Sequence, residues 1–209
     1  MANANLDAAR YLGEGWRLFK ENGVNFAVAT LVVLLISVVA SLIPFASFIV
    51  SGPLLAGLSL MALDAVRGGK PEIGRLAGVT EYLVPTALIG IVTGVFGAIG
   101  TLLLVIPGIL VFGWYMFSYL IAIDTGAAFW PAMERSRSFG FQNQVGVFVF
   151  ALILTLVNFL GALMLGLGLL VTIPVSILAV AVAYQEHLAG ANASRISETV
   201  GRTTPPPVA

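Results

Sequence analysis

The sequence predicts an all-α integral membrane protein with six transmembrane helices. Hydrophobic residues make up 59% of the chain and charged residues only 10%, whereas a soluble domain carries about 25% charged residues. Uncharged apolar runs recur along the chain, each long enough to cross a bilayer core of ~30 Å. The charged side chains lie between these runs. No polar stretch within the sequence is long enough for a soluble catalytic domain.

The apolar runs pair into three hairpins at residues 24–66, 82–123 and 145–185. The spans within them are 24–43 with 46–66, 82–105 with 107–123, and 145–165 with 168–185. Short uncharged turns join the spans of each pair, at Ile43-Pro44-Phe45, Ile106-Pro107-Gly108 and Leu165-Gly166-Leu167-Gly168. Residues 1–189 are therefore expected to form a single membrane domain. Residues 190–209 are polar and rich in proline, which predicts a flexible tail.

The ten basic and ten acidic residues all fall in the N-terminal segment, the loops between hairpins or the tail. With an even number of spans, these regions share one side of the membrane. The positive-inside rule makes that side the cytoplasm. We therefore expect a multi-pass protein of the bacterial inner membrane with both termini in the cytoplasm.

The hairpins resemble three copies of one unit. Each second span carries a proline near its start, Pro53, Pro107 or Pro174, where a first helical turn tolerates it. Two-span units keep their orientation in the membrane, so the repeats are expected to be parallel. The alternative is that three prolines coincide by chance.

Three segments outside the spans have an amphipathic pattern typical of interfacial helices. The first covers residues 6–21, a shorter one begins at Pro71, and the third covers 127–139. The apolar face of the first consists of Ala8, Ala9, Leu12, Trp16 and Phe19. The predicted interfacial anchors are Trp16, Phe19, Phe129 and Trp130. These segments either seat the bundle in the bilayer or recognise a lipid or a partner.

Polar groups inside the spans are few and uncharged. The absence of deep ionisable residues argues against an ion-coupled transporter or pump. With no Cys and one His, a Cys-ligated or multi-His metal site is excluded, and no cofactor is expected. Tyr115, Tyr119 and Asn158 form a candidate intramembrane cluster. They either line a ligand pocket or make interhelical hydrogen bonds.

Part of the sequence resembles a known group of proteins. The motifs are Ile106-Pro107-Gly108-Ile109-Leu110, then Trp114-Tyr115 and Ile123-Asp124, then Ala132 and Ser136 at A-x-x-x-S spacing. They are similar to uncharacterised bacterial membrane proteins related to the membrane domain found beside some glycerophosphodiester phosphodiesterases. The similarity covers residues 80–187. It implies a stand-alone membrane module without catalytic residues, because the phosphodiesterase activity resides in a separate soluble domain.

The sequence thus favours a non-enzymatic scaffold, assembly or accessory subunit of an inner-membrane complex. Its expected partners are the lipid bilayer and another membrane protein or a second copy of itself. The zero net charge gives no case for nucleic acid. The alternatives are a transporter or channel for a small neutral or amphiphilic solute, and a membrane-shaping protein. The transporter hypothesis requires a cavity bordered by Asn158 or by Tyr115 and Tyr119.

Overall fold

The computed structural model describes residues 6–43, 46–103, 105–164 and 166–190. Every regular element within these ranges is helical. The α-helices are α1 (Ala8–Ser41), α2 (Ala46–Val66), α3 (Leu83–Leu103), α4 (Val105–Tyr115), α5 (Ser118–Thr125), α6 (Phe129–Gln142), α7 (Gln144–Leu163) and α8 (Leu169–Tyr184). A 3₁₀ segment, Ile73–Tyr82, leads into α3, and one π-helical turn, Gln185–Ala189, extends α8.

Six helical stretches are long and apolar enough to cross a membrane. The prediction of an all-α, multi-pass membrane protein is confirmed at this level. The hairpin repeat stays a prediction. Of the three prolines of the predicted repeat, Pro107 lies in the first turn of its helix, whereas Pro53 and Pro174 lie further inside α2 and α8. The predicted tail lies outside the described residues except for Gly190.

The first helix bends where the sequence predicts a boundary. Asn22 has non-helical backbone angles (φ −129°, ψ 23°) and separates the N-terminal part of α1 from its apolar part. The predicted apolar face of the N-terminal part is divided, because Ala8 and Phe19 are buried in the protein whereas Ala9 is exposed. Tyr11, Gly15 and Leu18 are buried, whereas Trp16 is 46% exposed.

The reason for this difference is that α1 packs on α8. A Cβ atom on Gly15 would lie 2.8 Å from the carbonyl oxygen of Val175 and 3.0 Å from the amide nitrogen of Ala179. The two backbones therefore touch at this glycine, as small residues allow in membrane helices. The face of α1 that carries Gly15 is turned towards the protein.

The fourth span also differs from its prediction. It consists of α4 and α5, which are separated by a break at Met116 and Phe117. The predicted turn at Ile106-Pro107-Gly108 is wrong, because these residues lie within the beginning of α4. Helix α6, which covers the predicted segment 127–139, packs against α4 and α5.

Ion pairs and a tyrosine bond join several elements at one end of the bundle. They link α1 to the π-turn, the residue that follows α2 to α5, α2 to the 3₁₀ segment, and α8 to α5. The pairs are Arg10–Glu186, Arg67–Asp124, Arg75–Asp64 and Tyr184–Asp124. The ends of α2, α5 and α8 and the start of α1 therefore share one end of the molecule. Such partly exposed pairs add little stability individually.

Candidate functional site

A partly open cleft of about 590 Å³ lies between the spans. Its walls come from α2 and α3 on one side, from α7 and α8 on another, and from both sides of the break between α4 and α5. Most lining side chains are apolar, and the described lining includes no Asp, Glu, Lys, Arg or His. This size lies within the range of ~300–1,000 Å³ that small-molecule sites occupy.

All three residues of the candidate polar cluster line this cleft. Tyr115 and Tyr119 lie on either side of the helix break, and Asn158 lies on α7. The phenol of Tyr119 lies close enough to the Thr93 hydroxyl of α3 to interact with it. Tyr115 stacks on Phe96, with ring centroids 6.3 Å apart and ring planes inclined by 15°.

Sequence reasoning missed the remaining polar residues of the cleft. Ser51, Ser59, Thr93, Thr155 and Ser176 look scattered along the chain, but all five line the cleft. A helical-face pattern could have found one wall, since Ser51, Leu55 and Ser59 of α2 recur every four residues. No local pattern places this face of α2 opposite α7, because that placement depends on tertiary packing.

The amide of Asn158 joins the two helices of the last hairpin. Its Nδ2 donates to the Ser176 hydroxyl oxygen of α8 at 2.7 Å and to the Leu154 carbonyl oxygen at 2.9 Å. Its carbonyl oxygen is buried without a hydrogen-bond partner in the described part of the chain. Buried polar atoms are normally paired, so Oδ1 is an unused acceptor beside the cleft.

Three hydroxyl groups of the cleft donate hydrogen bonds to backbone carbonyl oxygens of their own helices. Ser59 donates to the carbonyl oxygen of Leu55 (2.8 Å), Thr93 to that of Ile89 (2.6 Å) and Thr155 to that of Ala151 (2.8 Å). A hydroxyl has a single hydrogen and two acceptor lone pairs. Each of these groups therefore retains only acceptor capacity towards the cleft.

The helix break beside the cleft is held by one side chain of α6. The Ser136 hydroxyl donates to the carbonyl oxygen of Trp114 at 2.7 Å and accepts from the amide of Phe117 at 3.3 Å. Ser136 is fully buried. A broken helix inside a membrane must have its free backbone groups satisfied by protein or water. Ser136 satisfies one carbonyl and one amide of this break.

Glycines let α4 approach its neighbours closely. A Cβ on Gly113 would lie 2.9 Å from Cγ1 of Val147 on α7, and a Cβ on Gly140 of α6 would lie 2.9 Å from Cα of Trp114. Helix α4 is thus clamped between α6 and α7 just before the break. This contact keeps Ser136 within reach of Trp114.

The predicted interfacial anchors divide into two groups. Trp16 and Trp130 are exposed, at 46% and 61%, and remain able to contact lipid. Phe19 is buried in the core beneath Trp16, with the two rings stacked at 5.8 Å. Phe129 is half-buried and packs edge-on against Trp130.

The pKa values of two paired side chains on α6, outside the candidate spans, are shifted. The Arg137 guanidinium donates two hydrogen bonds, at 2.6 and 2.9 Å, to the Glu134 carboxylate. This contact lowers the pKa of Glu134 and raises that of Arg137. The pair flanks Ser136 on the helix that supports the break.

The described residues hold no cluster of three or more metal-ligating side chains. The cleft contains phenols, hydroxyls and one amide, and its described lining carries no carboxylate or imidazole for proton transfer. It is therefore suited to binding an uncharged molecule. No family model, no curated protein and no solved structure matches this chain, and the resemblance to the phosphodiesterase-associated membrane domain stays a prediction.

Proposed function

We propose that this protein binds a small neutral or amphiphilic molecule in the cleft and moves it within or across the membrane without chemical change. The observation that carries the proposal is a cleft of about 590 Å³ between spanning helices, bordered by the break at Met116 and Phe117. Discontinuous helices are a recurrent feature of binding sites in secondary transporters. A neutral lining favours a solute that needs no counter-ion.

The proposed orientation follows from the distribution of charge. The ion-paired end, with Arg67, Asp124 and Glu186, faces the cytoplasm, and both termini lie on that side. The turn at Gly166 and Leu167 then faces the opposite side. We place the chain in a bacterial inner membrane.

A photoreactive single-chain amphiphile tests the binding proposal. The probe carries a diazirine on its chain and is added to vesicles that contain the full-length protein. Peptide mass spectrometry then locates the crosslinks. We expect crosslinks in α5 and α7 at cleft residues, and competition by an excess of the unlabelled amphiphile.

Two tryptophan variants of α7 separate the cleft from the lipid-facing surface. Thr155 lines the cleft, whereas Leu156 is 52% exposed and lies outside the cleft lining. Thr155→Trp should remove the cleft crosslinks, and Leu156→Trp should retain them. Crosslinks spread evenly over the outer surface and equal in both variants would overturn the proposal.

A scaffold or accessory role is the second candidate. Its support is that α6, outside the candidate spans, carries two exposed aromatic residues, Trp130 at 61% and Phe141 at 59%. Native mass measurement of the purified protein tests this role. A homo-oligomer or stoichiometric partner that is lost in Trp130→Ala supports it, and an unbound monomer contradicts it.

A further inference from the structure

The hydrogen-bonding capacity of the cleft is unevenly distributed among its walls. The hydroxyls of Ser59, Thr93 and Thr155 donate their single hydrogens to carbonyl oxygens of their own helices. The amide of Asn158 uses both hydrogens on Leu154 and Ser176 and leaves its oxygen unpaired. The walls formed by α2, α3 and α7 therefore present acceptors at the three hydroxyls, and the Asn158 oxygen is a further acceptor buried within the wall of the cleft.

Donors are available on the wall formed by α4 and α5. Tyr115 and Tyr119 carry phenolic hydroxyls, which can both donate and accept, and that of Tyr119 also lies within reach of the Thr93 hydroxyl. A ligand that satisfies both walls must itself donate to the acceptors and accept from a phenol. A hydroxyl group has this combination, whereas an ether oxygen has acceptors alone.

The charge of a headgroup excludes two further classes of ligand, anions and cations. The described lining holds no Lys or Arg to pair with a carboxylate and no Asp or Glu to pair with an ammonium group. An ion placed in such a site loses its hydration without gaining a partner. Only uncharged headgroups fit the cleft at neutral pH.

The volume of the cleft limits the size of the ligand. A volume of about 590 Å³ holds roughly twenty non-hydrogen atoms if each takes ~30 Å³, the share of one water molecule in liquid water. This corresponds to one hydrocarbon chain with a small headgroup. A two-chain phospholipid is too large to be enclosed.

We propose that the ligand of this cleft is an uncharged single-chain lipid with a free hydroxyl group. The inference rests on the proposed binding function and adds the chemical class of the ligand. The hydroxyl lies between the acceptors on α3 and α7 and the phenols of Tyr115 and Tyr119. The chain occupies the apolar remainder of the cleft.

Four photoreactive probes with the same sixteen-carbon chain test the ligand class. Their headgroups are an alcohol, a methyl ether, a carboxylate and a trimethylammonium group. Vesicles containing the full-length protein are labelled at pH 8, and crosslinks to α5 and α7 are quantified. The alcohol should label the cleft about fivefold more strongly than the ether, the effect of one hydrogen bond, and the two ions should label it less than the alcohol.

Two matched variants of α3 assign this preference to the cleft. Thr93 lines the cleft, whereas Thr86 is buried outside its lining, and both donate to a carbonyl four residues earlier. Thr93→Val should reduce the ratio of alcohol to ether labelling about fivefold, and Thr86→Val should leave the ratio unchanged.

The outcomes separate the two proposals. Equal cleft labelling by all four probes would overturn the hydroxyl inference and leave the binding function standing. Stronger labelling by the carboxylate or the ammonium probe would overturn it in the same way. Labelling that is unaffected by Thr155→Trp for every probe would overturn both.

Discussion

The Ser136 hydroxyl lies 2.7 Å from the carbonyl oxygen of Trp114, and it takes the place of a helical hydrogen bond where α4 ends. The hydroxyl oxygen of Ser136 also accepts the amide hydrogen of Phe117. A single side chain of α6 thus supports a helix break that borders the cleft. This contact joins the segment outside the spans to the wall that carries Tyr115 and Tyr119.

Replacing Ser136 should destabilise the protein. Ser136→Ala leaves the Trp114 carbonyl and the Phe117 amide without this partner in a buried place, which costs about 1–3 kcal/mol. Equilibrium unfolding in mixed micelles measures the free energy. Ser138→Ala is the control, because Ser138 is exposed on the same helix, and we expect a change within about 0.5 kcal/mol. Equal losses in the two variants would contradict a specific role for Ser136.

Replacing Gly15 should separate α1 from α8. Gly15→Ala places a Cβ against the backbone of Val175 and Ala179, and relief of this overlap costs about 1–3 kcal/mol. Gly13 is the matched control, since a Cβ there meets nothing within 4 Å. Gly13→Ala should raise stability by up to about 1 kcal/mol, the difference in helix propensity. Thermal unfolding of both variants in the same detergent tests the expected loss of stability in Gly15→Ala and the expected gain in Gly13→Ala.

The Asn158–Ser176 hydrogen bond should contribute a modest coupling energy. Hydrogen bonds between membrane helices average about 0.6 kcal/mol and reach about 1.7 kcal/mol. A double-mutant cycle with Asn158→Ala and Ser176→Ala isolates this value. A coupling of zero would mean that the 2.7 Å contact contributes nothing measurable to folding.

The ionisation of Glu134 should depend on Arg137. The guanidinium lowers the pKa of this carboxyl, so the pair contributes stability above the ordinary pKa of a glutamate and loses it as the pH falls through the lowered value. Arg137→Gln should return the pKa of Glu134 to its ordinary range of about 4.3. A carbon-13 NMR titration in micelles measures the change, and Arg135→Gln should leave it unaltered.

Single cysteines can test the proposed orientation, because the chain has no cysteine of its own. Lys70 and Leu167 are both exposed, in the loop after α2 and in the turn before α8. A membrane-impermeant maleimide should label Leu167→Cys in intact spheroplasts. It should label Lys70→Cys only after the spheroplasts are lysed. The reverse pattern would place both termini outside.

Several elements could be predicted because their causes are local. The apolar runs predict the spans, since only a helix satisfies its own backbone in hydrocarbon. The change from an amphipathic to an apolar pattern predicts the boundary that the structure places at Asn22. Tyr115, Tyr119 and Asn158 stand out as polar groups in apolar runs, and all three border one cleft.

Other features have no local cause. Residues 107–123 were predicted as one apolar span, and the break at Met116 and Phe117 depends on a hydroxyl that lies in α6. The apolar face of residues 6–21 was predicted for contact with lipid, but packing at Gly15 against α8 buries its members Ala8 and Phe19. Both features depend on a packing partner that is distant in sequence.

The sequence by itself determined the membrane class, the number of helical spans and the neutral character of their interior, because hydrophobicity and charge act residue by residue. Tertiary structure alone decided which faces meet. It brought Ser59, Thr93, Thr155 and Ser176 to one cleft and placed Ser136 beneath a broken helix. These relationships depend on close packing between helices, which small residues such as Gly15, Gly113 and Gly140 permit at particular positions.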